Sequence, residues 1–476
     1  MQLLFVILTL ILFAAAGASV IRLIDRSGET GLHGAPLIGI AFITGLGVVS
    51  LQMFILSLFS IPVTLATVSI PWLVFIAAVF LKIKGAPARR ERERWDLASV
   101  LLLAIIIVQS AYSFVYALSV PLSGWDAWFI WFMKARVFYL DQGVTGQFLV
   151  DPNYQQHQDY PVMLPLAISL VYSAAGSVKE VFGKLLYPLQ FLSLISVIYY
   201  ATAKEAGRRT GLLFAALLSI VPVIMIHAGG IPLKIGQLYA GDFVGYSDFA
   251  LSIVFLAASV FFYLYAQEGG KATLALSALF LGIGAWTKNE GLTFAIFSTL
   301  LFFVYRFKKG GMGFVRESLV FVPVIALFVL PWLFYRVSLG VGSEYVGNLS
   351  FSTVIDNLWK LGVIFKTLGR MLFLNVELYN FCWWAYVLSV AANWRWVFSR
   401  GLVALNLLLA LQLSTYIFIY IISPAPIDWH LATSADRLLL HLLPLAMLIT
   451  AFNLVSLAGL KSFRNLSEAR SSAKAF

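Results

Sequence analysis

The sequence predicts an all-α polytopic membrane protein of about thirteen transmembrane helices, and three observations carry that prediction. Of 476 residues, 61% are hydrophobic and only 12% charged, against about 25% charged residues in soluble domains. Apolar runs of about 15 to 25 residues recur from end to end, the length a helix needs to cross roughly 30 Å of hydrocarbon. These runs are continuous and do not alternate apolar with polar, which excludes a transmembrane barrel.

The runs place candidate spans at 2–21, 36–59, 61–81, 97–119, 185–203, 212–228, 249–266, 272–287, 291–305, 318–335, 374–393, 401–422 and 438–458. The first could be mistaken for a signal peptide. It lacks a basic segment before the apolar run, and Arg22 and Arg26 follow it. It therefore reads as a span that starts outside and ends inside. No linker separates folded units, so the division is 1–96 for N-terminal spans and a basic loop, 97–460 for a transmembrane body, and 461–476 for a cytoplasmic tail.

The net charge of +11 does not imply nucleic acid. The basic residues fall in short connectors: 82–94, 204–209, 306–309, 395–400 and 461–474. That is the pattern of cytoplasmic loops. With 82–94 and 204–209 on one side, 161–203 must cross an odd number of times. The apolar run Val162 to Gly176 is short for a crossing, so it is expected to dip in or lie at the interface while 185–203 crosses. One cysteine, Cys382, rules out an internal disulfide. Five histidines without ligand spacing argue against a dedicated zinc site.

Pro121 to Pro165 is the most informative stretch, with Asp126, Lys134, Arg136, Asp141, Asp151, His157 and Asp159 crowded between apolar runs, and Lys134 and Arg136 are candidate substrate-binding residues. Tryptophans 125, 128 and 131 recur at i, i+3, which predicts one aromatic face on a short interfacial helix. Asp126, flanked by Trp125 and Trp128, is expected to be partly desolvated and suited to act as a general base; an ordinary helix cap is the plainer alternative. His157, Asp159 and Tyr160 precede Pro161 and Pro165, which fix the backbone where the chain re-enters the apolar region. They would line a sugar, phosphate or metal site, or simply end a solvated loop.

With that parity, 120–160, 227–248, 288–290, 336–376 and 423–437 share the non-cytoplasmic face and carry Lys234, Asp242, Asp248, Lys288, Glu290, Glu344, Lys366, Arg370, Asp428, His430, Asp436 and Arg437. Acids and bases converging there imply one polar hollow. Lys288 and Glu290 are tolerable only in a turn or against a polar cavity, since each costs about 2.5–3.5 kcal/mol at the bilayer centre. Lys366 and Arg370, one turn apart, suit either a lipid-carrier phosphate or snorkelling to anionic lipid. Arg437 opens the last span, with His441 one turn further. It would clamp a phosphate, or pair with Asp436 at the surface.

The segments GWDAWFIWFMKAR, HQDYPVMLPL, GYSDFAL, WTKNEG and DRLLLHLLPL, in that order between about 124 and 445, resemble the GT-C glycosyltransferases that use lipid-linked donors. The likeness is greatest to bacterial relatives of protein O-mannosyltransferases and of the lipid A aminoarabinose transferase. The resemblance implies a GT-C-like core, with amphipathic interfacial helices in the first large extracytoplasmic loop. It implies a polyprenyl-phosphate sugar donor and a glycan, lipid or protein acceptor. It places the protein in the inner (plasma) membrane with its site facing the periplasm or exterior. By the same resemblance Asp126 is the base on the acceptor hydroxyl, Asp248 the second-loop acid, and Arg437 the late-helix arginine on the carrier phosphate. Lys288 assists it, and His157, Asp159 and Tyr160 line the sugar pocket. Three extra spans precede the family's usual core, and a lone Asp126 stands where protein mannosyltransferases show an Asp-Glu pair. No cofactor is required, although Asp126 and Asp248 could share a divalent metal. A lipid-linked polysaccharide ligase and a lipid or sugar transporter (flippase) are the alternatives.

Overall fold

The computed structural model describes residues 1–83, 95–154, 157–230, 234–235, 238–239, 244–309, 313–398 and 401–459. Asp242 and the basic residues at 84–94 and 461–474 lie outside them. Among the described residues the chain is helical except for one two-residue antiparallel pair, in which Lys234 faces Tyr239 and Ile235 faces Leu238. Ten described helices are long and apolar enough to cross a membrane, eleven with one sharply bent pair. The protein is a multi-pass membrane protein.

The remaining expected spans are shorter or broken, for local reasons. The run 212–228 forms Arg208–Ser219 and Pro222–Ala228, bent by 75°. Pro222 lacks an amide donor and drives Val221 into extended backbone. Lys271–Thr287 reaches 17 residues. The run 374–393 yields only Cys382–Ala392 as a helix of three turns. Asn380 breaks its start with a φ of 50°, a left-handed conformation that asparagine tolerates better than most residues. The last helix is longer than expected: it runs Ile427–Leu457, so Arg437 sits in its third turn and not at its mouth.

The 13 residues of Met163–Ala175 span about 20 Å, too short to cross. All but Ser173 are buried, so the helix is held inside the protein and does not lie at an open interface. The Lys184 ammonium donates to the Val120 carbonyl, which sets the start of Leu186–Ala206 beside the end of Leu97–Ser119. Everything between those points leaves and returns at one end of the bundle, and Leu186–Ala206 makes the next traverse. The parity inferred from the basic clusters matches this geometry.

Connectors at the opposite end are tied to one another. Lys204 pairs with Glu268 at 3.5 Å and donates to the Thr30 carbonyl, Arg22 donates to the Ile83 carbonyl, and Arg306 pairs with Glu317 at 2.5 Å. Two helices form the buried centre, Asp248–Glu268 and Ile427–Leu457. Leu65–Lys82, Leu97–Ser119 and Gly313–Ser338 are peripheral and expose leucine, valine and phenylalanine. Such exposure in a membrane protein marks the lipid-facing belt.

Candidate functional site

The site lies where the central helices meet the loop after Leu97–Ser119. That loop does not form the regular helix the tryptophan spacing predicts. Ala127–Phe132 is a π-helix, whose wider turn brings residues four apart into register. Trp125 therefore stacks on Phe129, with ring centroids 4.1 Å apart. Trp125 and Trp128 stay more than half exposed while Trp131 is buried, so the three do not share a face.

Asp126 begins this segment. Its carboxylate is not pressed into a dry aromatic pocket; it pairs with the guanidinium of Arg437, 311 residues away. The backbone N–H of Asp126 donates to the Tyr246 hydroxyl at 3.3 Å, and Arg437 also lies over the Tyr246 ring. Gly245, at φ +109°, permits this approach, because a Cβ there would come 2.4 Å from that of Ala127.

Asp248, at the start of its helix and fully buried, is the hub. Lys288 Nζ lies 2.8 Å from its Oδ1, and His441 Nε2 lies 2.9 Å from the same oxygen. Arg437 lies 3.8 Å from its Oδ2. With the ring proton on Nε2 facing the carboxylate, His441 Nδ1 accepts from the Tyr416 hydroxyl at 2.9 Å. His441 thus stands behind Asp248, closed from solvent, and orients it; it is not placed to touch a ligand. Lys288 reaches on to Glu290 at 3.0 Å. It occupies an extended break between two helices, a turn buried within the protein and not one exposed to solvent. The helices fold back closely there, since a Cβ on Gly291 would sit 1.9 Å from the Gly284 carbonyl oxygen.

A second layer fixes the loop against this hub. Asp159 accepts from Asn289 Nδ2 at 2.7 Å, and its carbonyl accepts from Trp332 Nε1 and Arg336. His157, held at φ 44°, stacks on Tyr160 at 4.4 Å, and Tyr160 lies beneath the Lys288 ammonium at 5.6 Å. The His157 and Asp159 side chains thus diverge. Lys134, expected to meet substrate, is wholly buried and donates to the His157 carbonyl at 2.6 Å. Burial holds its ammonium down to about 7, opposed by Asp159. Burial also lowers the His157 imidazole to about 4, against the pull of Asp126, and raises the Asp159 carboxyl.

Three further residues stand outside the cluster, and the expected polar hollow takes another form. Arg136 is exposed on the opposite side of its helix from Lys134. Lys366 and Arg370 are exposed on Lys360–Phe373 and make no ion pair among the described residues. The charges are in direct contact, not spread around an open hollow, with the Asp126 and Arg437 side chains retaining 22% and 13% of their exposure. Tyr246, Trp332, Arg336 and Tyr416 are site residues that the sequence does not single out. Only Tyr246 falls inside the motif segments, and aromatic residues are too common in this chain to stand out.

No family model matches the chain, and neither curated proteins nor solved structures show a match to it. The chemistry of the cluster must be judged from its own geometry. It offers a partly exposed carboxylate at Asp126, a partly exposed guanidinium that two acids share, and a tethered ammonium between the buried Asp248 and the partly exposed Glu290. No group of three or more metal-ligating side chains occurs among the described residues.

Proposed function

We propose that the chain is a membrane glycosyltransferase that moves a sugar from a polyprenyl-phosphate donor to an acceptor hydroxyl, with inversion. The observation that carries this reading is the Asp126–Arg437 pair, backed by Asp248 and Lys288. A guanidinium held through Nη1 by carboxylates at a partly open rim can exchange onto a phosphate, which guanidinium groups bind well. Once Arg437 turns to the donor phosphate, Asp126 is free to accept the proton of the acceptor hydroxyl. The acceptor oxygen then attacks the anomeric carbon from the face opposite the phosphate. The carbon–oxygen bond to phosphate breaks, and the electron pair leaves on a phosphate oxygen neutralised by Arg437 and Lys288.

In this reading the chain keeps a GT-C-like arrangement built on the ten long helices and the bent pair, with Lys271–Thr287 as a further crossing, while the 11 residues of Cys382–Ala392 are too short to cross alone. The plasma-membrane location and the outward-facing site rest on the basic connectors at the far end. Asp248 and Glu268 are the two ends of one 21-residue helix, about 30 Å apart. The acceptor is a hydroxyl of a glycan, lipid or protein. A divalent metal is not needed, because the ammonium of Lys288 already lies between Asp248 and Glu290.

The test is transfer of radiolabelled sugar from a panel of polyprenyl-phosphate sugars into membranes, wild type against Asp126→Asn. Transfer should fall by about 10²- to 10⁴-fold in the variant. Equal transfer by both would remove Asp126 from the chemistry. Donor lipid crossing the membrane without sugar transfer would favour the transporter.

A further inference from the structure

Lys366 and Arg370 are left without a role by the cluster, and their surroundings point elsewhere. Lys360–Phe373 rests on the bundle by Lys360, Ile364 and Leu368, spaced four apart on one stripe. Lys360 turns inward and donates to the carbonyls of Ile421 and Ser423 at 3.3 and 3.0 Å. That fixes the helix at the end of Leu402–Ile422. The Trp384 indole donates to the Phe373 carbonyl at 2.8 Å, which joins its other end to Cys382–Ala392.

The opposite side carries Lys366 and Arg370 beside large exposed apolar groups: Phe351 at 84%, Trp359 at 63%, Phe365 at 58% and Leu374 at 72%. The contacting helix Cys382–Ala392 continues that surface with exposed Trp384 and Leu388. The segment is therefore continuous with the lipid-facing belt, and it adds cations where the belt reaches the helix ends. Aromatic rings at headgroup depth with arginine and lysine between them match a membrane interface with anionic headgroups.

We infer that Phe351–Leu374 is a surface-lying shelf that binds anionic phospholipid, with Trp359 and Phe365 entering the acyl boundary and Lys366 and Arg370 gripping headgroup phosphates. The inference is independent of the reaction proposed above, since none of these residues belongs to the cluster.

The full-length protein is assembled in nanodiscs of equal phosphatidylcholine and phosphatidylglycerol, and the lipids retained after extraction are counted by native mass spectrometry. Wild type should retain phosphatidylglycerol in preference, and each cation removed should lower that preference about fivefold. Lys366→Ser with Arg370→Ser should lose it, whereas Lys366→Arg should keep it and show that charge, not fold, is read. Brominated phospholipid should quench a tryptophan component that Trp359→Phe abolishes. Equal retention by wild type and the double variant, no preference in wild type, or displacement of the lipid by millimolar inorganic phosphate would each overturn the shelf as a phospholipid site.

Discussion

Among the described residues Asp248 gathers Lys288, Arg437 and His441 on one buried carboxylate, and its energetics follow from burial. Lys288, His441 and Arg437 all face a carboxylate that no solvent reaches. Removing one partner of such a set leaves uncompensated charge in a dry site, at about 3–5 kcal/mol. Asp248→Ala should lower the thermal unfolding midpoint in detergent far more than Asp126→Asn, whose site is partly open. Similar losses from both would mean that Asp248 is not the structural hub. Lys134 gives a pH prediction. Its folded value of about 7 lies below the ordinary 10.5, so the unfolded loop binds more protons between those limits, and stability rises with pH there. His157, lowered from 6.5 to about 4, acts in the same sense at lower pH, while the raised Asp159 carboxyl acts in the opposite sense above its ordinary value of 3.8. Between pH 6.5 and 8.5 the 157–160 segment should gain about 2 kcal/mol of hydrogen-exchange protection. Lys134→Met should flatten that dependence.

At the scale of elements, the break at Lys288 depends on two glycines packed backbone to backbone. A methyl at Gly291 would meet the Gly284 carbonyl at 1.9 Å, whereas one at Gly284 first meets a Val254 methyl at 3.4 Å. Gly291→Ala should therefore destabilise by about 1–3 kcal/mol and displace Lys288, while Gly284→Ala should be mild. Comparing their unfolding midpoints checks this, and equal effects would refute the fold-back. The bends are partly legible in the sequence, because Pro222 and the asparagines are written in the chain. The π-helix at Ala127–Phe132 is not, since a spacing of three reads as one face of an α-helix until the turn widens.

For the whole molecule, the traverse order is testable by labelling. Cysteines placed at Ser123 and Lys179 should react with a membrane-impermeant thiol reagent from the same side, and one at Gly270 from the other. Cys382 is buried and contributes little background. Labelling of 123 and 179 from opposite sides would mean that Met163–Ala175 crosses fully.

By itself the sequence determined that this is a helical multi-pass membrane protein, roughly where its apolar helices run, and that polar chemistry gathers in the loop beginning at Asp126. Those properties are sums of local transfer free energies, and a linear chain displays them directly. Only the tertiary structure decided that Asp126 meets Arg437, that His441 stands behind Asp248, that Lys134 is buried, and that Arg136, Lys366 and Arg370 lie outside the cluster. Pairings across 193 and 311 residues depend on how helices pack and where they break, and hydropathy carries no record of either.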